Sequence, residues 1–486
     1  MAYLGIDLGT SGLRALLIDA DGNALASASV SYETDHPQRG WSEQDPTAWT
    51  NALDVAMAKL RDAASDYSAI RGIAVSGHMH GAVTLDADNN VIRPCILWND
   101  TRSSVEAAML DSTEGVRAAS GNIVFPGFTA PKLLWMRRHE PENFSRVAKV
   151  LLPAAYMNLY LCGEYAADFS DSAGTSWLDV HHRKWSKQLL DVSGMDRTQM
   201  PALADGCAAV GTLRPTLAAA WGLSPDAVIA AGAGDNAAAA CGIGAIEEGR
   251  GFVSLGTSGV LLMARDSCQP APETALHTFC HAVPDKWYQM GVMLSATDSL
   301  NWLSRISGQS PQSLTTRLGE AQRAPGPVMF LPYLSGERTP HNDADLRGAF
   351  TGLSTNTSLD DMTHAVLTGV AFGLRDSAEA LRSVGAVWDR LMAIGGGAAS
   401  RHWLRILATV LDTPLAIPDG AEFGAALGAA RLALVAASGA SVSEVMTEPD
   451  IADVITPDRG LASAYDDAYA CFRSSYAPIK SVQMGA

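Results

Sequence analysis

Charge is scarce in this chain, and positive charge scarcest: charged residues make up 18% of it, with 35 Lys and Arg against 52 Asp and Glu for a formal net charge of −17. Such a deficit excludes nonspecific nucleic-acid binding and adsorption to an anionic membrane. A phosphate-bearing ligand must therefore be met by local backbone groups, a few cations or a metal. Paired cysteines are lacking as well. The seven thiols, Cys95, Cys162, Cys207, Cys241, Cys268, Cys280 and Cys471, are odd in number and form no CxxC pair, which excludes a disulfide framework and a cysteine zinc site. No uncharged apolar run approaches the length of a membrane span, and the start shows no basic, apolar and cleavage-site sequence of a secretory signal. A cytoplasmic protein is the expectation. The GxxxxGK[ST] phosphate loop and the protein-kinase signature set are also absent, so those two nucleotide-binding classes are excluded.

One short sequence does recur. The pentapeptide "LGTSG" occurs as Leu8 to Gly12 and again as Leu255 to Gly259, each time between two aliphatic runs. At the first copy, "YLGIDL" leads in, "LRALLI" leads out and "DADG" supplies another turn before the alternating "ALASASVSY". That pattern predicts a β-meander with a glycine-rich first hairpin. Helical stretches follow each meander. Asp45 and Pro46 form a cap and first position for a helix with Trp49, Leu53, Met57 and Leu60 on one face. Met362, Val366, Val370 and Leu374, and near the C-terminus Tyr465, Tyr469, Phe472 and Tyr476, repeat at helical spacing and are expected in the core. At 486 residues the chain is long enough for two or more domains. The repeated order predicts two related α/β domains, residues 1–244 and 245–486, with a ligand cleft between them.

Several residues carry chemistry in this pattern. Each turn, built on glycines with Thr10 and Ser11 or with Gly256 and Thr257, can aim several backbone N–H groups at one phosphate. One copy alone reads equally as an ordinary hairpin; two copies point to two phosphate loops facing one cleft. A third cluster, "IGGGAAS", places Gly396, Gly397 and Ser400 before a helical stretch whose N-terminus can receive a nucleotide. Asp7, at the end of the first strand, is either a turn residue bonding its own backbone or a carboxylate holding Mg²⁺ directly or through water. Asp235 in "AGAGDNAAAACG" reads as a helix N-cap, a role compatible with catalysis because a cap fixes the carboxylate. "SGHMHGA" and "ILWNDTR" set histidines and an indole beside amide and carboxylate groups, the combination of apolar face and directed polar groups that a polyol needs. His78 and His80, a bare HxH with no further ligand in sequence, are weak evidence for a metal site.

Together these residues resemble the FGGY family of carbohydrate kinases, of the actin/hexokinase (ribonuclease H-like) superfamily, over essentially the whole chain. "GIDLGTSGLRALLID" and "VSLGTSGV" are similar to its two phosphate motifs, "AIGGGAASRHW" with "EFGAALGAA" to its adenosine end, and "GFTAPKLLWMRRHEP" and "LTGVAFGLRDSAEAL" to its signature regions. The runs "WSEQDP", "SGHMHGA", "ILWNDTR", "LLPAAYMNLYLCGEYAADFSDSAGTSWLDV" and "FLPYLSGERTPHND" resemble the bacterial members acting on D-xylulose. The resemblance implies ATP as co-substrate, Mg²⁺ as cofactor and D-xylulose 5-phosphate as product, with D-ribulose, L-ribulose or ribitol as alternative substrates. It also implies Asp235 as general base and Asp7 as its partner through Mg²⁺. The sugar contacts it implies are Met79, His80, Trp98, Asn99, Asp100 and Asn236. The phosphate contacts are Thr10, Ser11, Arg14, Gly256, Thr257, Gly396, Gly397 and Ser400. A homodimer is implied, with no nucleic-acid or membrane partner. The chain departs from the family at His78, where glutamine is usual. Two other classes keep the phosphate loops without a polyol pocket or rest on the glycine cluster alone: an actin-like filament or chaperone ATPase, and a nucleotide-dependent oxidoreductase.

Overall fold

The computed structural model describes residues 1–319, 321–419 and 424–484. The first meander forms as the alternation dictates. Strands β1 (Ala2–Leu8), β2 (Gly12–Ile18) and β3 (Ala24–Ser31) run antiparallel, with Asp7 opposite Arg14 and Leu8 opposite Leu13. Helix α1 (Pro46–Ala63) starts where the Asp45 side chain accepts from the Thr47 N–H, and Trp49, Leu53, Met57 and Leu60 are buried on one face. The chain returns as β4 (Ile70–Gly77), parallel to β1. Helix α2 (Thr129–His139), strands β5 (Ala209–Thr212), β6 (Val228–Ala230) and β7 (Ala233–Gly234), and helix α3 (Asp235–Gly242) follow. The sheet order is β5-β6-β4-β1-β2-β3, with β7 also pairing β4.

The second half repeats the plan. Strands β8 (Gly251–Leu255), β9 (Gly259–Arg265), β10 (His277–Cys280) and β11 (Trp287–Met293) precede helices α4 (Thr297–Ser307) and α5 (Leu359–Ser383). Strand β12 (Leu391–Ile394), helix α6 (Arg401–Leu411), strand β13 (Leu415–Pro418), helix α7 (Gly424–Ser438), strand β14 (Ile451–Ile455) and helix α8 (Ala462–Met484) complete it. Its sheet order is β10-β11-β9-β8-β12-β13-β14. In both halves an antiparallel three-strand meander is extended by two strands parallel to its first member. This shared order is the duplicated α/β plan of an actin/hexokinase-like fold. The aromatic stripe of α8 closes the second core, with Tyr465 and Phe472 fully buried. Among the described residues, no helix is long and apolar enough to cross a membrane.

Helix α7 ties the halves together. It is apolar nearly all round, so it must be buried on more than one side. One side lies on the first sheet, where Gly5 and Gly72 admit it: a Cβ on Gly5 would sit 2.0 Å from the Ala426 carbonyl oxygen, and one on Gly72 would sit 2.5 Å from that of Ala433. Another side crosses α3, where a Cβ on Gly428 would sit 1.7 Å from the Ala238 oxygen. The buried Arg431 guanidinium then donates through Nη1 to the carbonyls of Cys241 and Gly242, both at 3.0 Å, satisfying the C-terminal end of α3.

Candidate active site

Three parallel strands end side by side and set out the site. β4 runs between β1 and β7, with Ser76 opposite both Asp7 and Ala233. Past their C-terminal ends come, in order, the Gly9–Gly12 turn, the His78-Met79-His80 segment and the start of α3 at Asp235. Two inter-strand steps separate the outer strands, about 10 Å between backbones, so the two carboxylates flank one mouth at the carboxyl edge of the sheet. Gly234 is required there, because a Cβ would meet the Met79 side chain at 2.9 Å.

The expectation that Asp235 caps its helix is corrected: Gly234 holds the cap position, and Asp235 is the first helical residue. Its Oδ1 accepts from the Asn236 backbone N–H at 2.7 Å and from Asn236 Nδ2 at 2.9 Å. Burial pushes the Asp235 carboxyl up to about 6, against the pull of the two Asn236 donors. Burial likewise lifts Asp7 to about 7; the charge of Asp235 adds to the rise, while Arg14 and the Ser76 hydroxyl oppose it. Asp7 thus feels the charge of Asp235 across β4, and a cation beside it would oppose that rise. Among the described residues no group of three or more His, Cys, Asp or Glu side chains could cage a metal. The donor set suits an ion that arrives on a ligand and keeps most of its water.

The first glycine turn is braced from behind. The Gly9 N–H donates to the Gly12 carbonyl at 3.0 Å, and the Thr10 carbonyl accepts from Gln44 Nε2 at 2.6 Å. Gln44 is held in turn by the Trp49 indole at 3.0 Å. Trp98 donates its indole N–H to Thr10 Oγ1 at 3.0 Å, joining the "WND" segment to the turn; Ser11 stays exposed. In the second turn the Gly256 carbonyl accepts from Thr297 N at 2.9 Å, and the Thr257 carbonyl from Ala296 N at 2.9 Å, so the first turn of α4 supports it. The third glycine cluster rests on the same spot. A Cβ on Gly397 would meet Leu255 Cβ at 2.7 Å, and Gly395 takes a φ of 85°. Ser400 caps α6 by accepting from Trp403 N. Beside it opens a cavity of ≈590 Å³ lined by Thr297, Asn301, Gln312, Gly396, Gly397 and Ser400. Glu422 and Phe423 of "EFGAALGAA" lie outside the described residues.

The residues expected on the sugar side are placed as follows. Met79 is buried, and Tyr288 Oη lies 3.8 Å from its sulfur. Asn99 is exposed and Arg14 lies opposite Asp7, with its Nε 3.4 Å from Ser29 Oγ. Asp100 is a correction. Its carboxylate is taken up by the Arg102 guanidinium, at 2.6 Å from Nη2, and by the Ser42 N–H at 2.6 Å, so it braces the segment and has no free acceptor for a sugar. His78 turns inward, its ring 5.4 Å from that of Trp49, so the departure from glutamine alters packing beneath the first turn. Three groups escaped the sequence reading. Asp171, 1% exposed with both oxygens unpartnered among the described residues, is pushed well upward by burial and by the charges of Asp168 and Asp235. Lys132 is fully buried beside His80. Thr297 and Asn301 line the nucleotide-sized cavity. An Asp three residues after the cap Asp168, at "DFSD", hinted at the first.

Residues 2–242 match the N-terminal domain of the FGGY family of carbohydrate kinases, and residues 251–437 match its C-terminal domain. The chain belongs to this family. As an FGGY kinase it is 42% identical to the xylulose kinase of Escherichia coli strain K12, over 98% of each chain. It is 44% identical to the xylulose kinase of Klebsiella pneumoniae, over 89% of this chain and 90% of the relative. Among solved structures, the crystal structure titled a xyloylose kinase from Brucella ovis is similar at a TM-score of 0.97 and 53% identity, covering 99% of this FGGY kinase and all of that chain. The matched domains divide the glycine turns between them, so this FGGY kinase has one such turn in each half and the two acids at the first sheet's edge.

Proposed function

We propose that this carbohydrate kinase transfers the γ-phosphoryl group of ATP to the primary hydroxyl of D-xylulose, giving D-xylulose 5-phosphate. The observation that carries the reading is likeness along the whole length: 98% of this chain aligns with 98% of a xylulose kinase at 42% identity. Residues 1–244 would grip the sugar, and residues 245–486 the nucleotide. The reading extends to a cytoplasmic homodimer, which light scattering on the purified protein tests for its assembly.

Phosphoryl transfer asks for position and charge neutralisation more than for covalent help. The Thr10-Ser11 and Gly256-Thr257 loops offer backbone N–H groups to the phosphates from opposite halves, with Arg14 as a further contact. Gly396, Gly397 and Ser400 line the cavity for the nucleoside. Mg²⁺ would be held by Asp7 through water, and when bound it supplies neutralisation of phosphate charge. Asp235, with Oδ2 bearing no hydrogen bond among the described residues, accepts the proton of the attacking hydroxyl. Met79, His80, Trp98 and Asn236 orient the sugar. Closing of the halves excludes water as a rival acceptor.

Sugar-dependent ADP release with MgATP across D-xylulose, D-ribulose, L-ribulose, xylitol, ribitol and glycerol tests the substrate. The expected result is a clear preference for D-xylulose; faster turnover on any other member overturns it. The acid limb of the rate tests the base. Only the ionised Asp235 carboxylate can accept a proton, so its active fraction shrinks as the pH drops through its value of about 6. With MgATP saturating, kcat/KM for the sugar is expected to fall about tenfold per pH unit below that point and to level above it. A profile flat across this range contradicts Asp235 as the base.

A further inference from the structure

His80 is held in a costly way. Its backbone lies in the left-handed region at a φ of 71°, where residues other than glycine are uncommon. Its carbonyl receives two donors from the first turn of α2: Lys132 Nζ at 2.7 Å and Thr129 Oγ1 at 3.1 Å. Three residues apart, these two side chains share a helix face and fill both lone pairs of one oxygen. The ring is clamped as well. It stacks on Phe128 at 4.5 Å between centroids, and a Cβ on Gly174 would meet its Nδ1 and Cε1 at 2.5 Å.

Ring Nδ1 lies 2.7 Å from the Gly174 carbonyl oxygen. A carbonyl only accepts, so Nδ1 carries the hydrogen. Burial depresses the imidazole to about 3, so the ring is neutral at working pH. Nε2 is then a bare lone pair, able to accept a hydrogen bond and unable to donate one. Lys132, for its part, is fully buried; among the described residues its one hydrogen bond goes to the His80 carbonyl and it has no carboxylate ion-pair partner. Burial pulls its ammonium down to about 7, and a buried amine held by one carbonyl is an expensive way to fill a core position that methionine could fill.

We propose that Lys132 is a positioning residue for the sugar: with Thr129 it pins the His80 peptide in its left-handed conformation, so that Nε2 is presented to the substrate as an acceptor for one hydroxyl. This rests on the reading of His80 as a sugar contact.

Lys132→Met keeps the length of the side chain and removes the donor. The variant is expected to raise KM for D-xylulose about 10- to 100-fold, as is His80→Ala, with KM for MgATP within about twofold of native. Imidazole ¹⁵N spectra of the histidine-labelled protein, with His80 assigned by its absence in His80→Ala, should show an Nδ1-protonated tautomer in the native chain and an averaged one in Lys132→Met. Thr129→Val, which removes one donor of the two, is expected to show a smaller change in the same direction and decides the matter if Lys132→Met fails to fold. Native sugar KM in the folded variants, an equal rise in both KM values, or an unchanged tautomer overturns the proposal. If the native protein shows no sugar-dependent turnover while the tautomer still shifts, the substrate reading fails and the positioning role stands.

Discussion

Asp235→Asn is expected to keep its fold and lose turnover by about 10²- to 10⁴-fold, the usual contribution of a general base. Asparagine has the shape of aspartate, and its amide oxygen still accepts from the Asn236 donors that hold the native side chain at 2.7 and 2.9 Å. What it cannot do is take a proton. Stability should move the other way. Folding raises this carboxyl from its ordinary value to about 6, because burial disfavours the charge. The protonated acid therefore stabilises the fold at low pH, and that contribution is lost as the pH rises through about 6. Near pH 8 the native chain holds an ionised, desolvated group, and the amide removes it; the variant should melt at or above the native temperature. Kinetics and a thermal melt on one preparation check both halves. A variant with nearly full kcat, or one that melts well below native, contradicts the role.

Gly428→Ala should be the most damaging small change outside the site. The new methyl would stand 1.7 Å from the Ala238 oxygen and 3.0 Å from the Gly242 nitrogen, all of it backbone of α3. Neither helix has a flexible side chain there to move aside. Overpacking a tight core costs about 1–3 kcal/mol, and contact with backbone on this scale belongs at the top of that range or beyond it. The strain also pushes on the helix that begins at Asp235, so kcat should fall together with the melting temperature. Gly396 is the control, since a Cβ there meets nothing within 4 Å and its alanine variant should melt as native does. A Gly428→Ala protein with native melting would mean the two helices do not cross this closely.

Local structure was largely legible in the sequence, because local structure is written in short periods. The alternation on both sides of Gly9–Gly12 gives the meander, and Asp45-Pro46 gives the start of α1, each by residues within a few positions of one another. The phosphate turns and the glycine cluster at Gly395–Gly397 could be read as parts. The meeting of the second turn with that cluster at Leu255 could not, because close packing between Gly397 and a strand end about 140 residues earlier has no period. Helix α7 shows the same limit. Its sequence, apolar on all faces, says that it is buried but not against which sheet. Asp100 failed as a sugar contact because Arg102, two residues on, claims its carboxylate. Lys132 and Asp171 stayed hidden because a buried charge looks, in sequence, like any surface one.

The central claim is that Asp235 deprotonates a D-xylulose hydroxyl as it takes the γ-phosphoryl of ATP, and one measurement addresses it directly. A rapid-quench single turnover with γ-³²P-labelled MgATP and D-xylulose, run on the native and Asp235→Asn proteins at equal saturation of both ligands, follows the label itself. The account predicts label in D-xylulose 5-phosphate for the native protein, and a transfer rate at least about a hundredfold lower for the variant. Label appearing only in inorganic phosphate, or equal transfer rates in the two proteins, would contradict it.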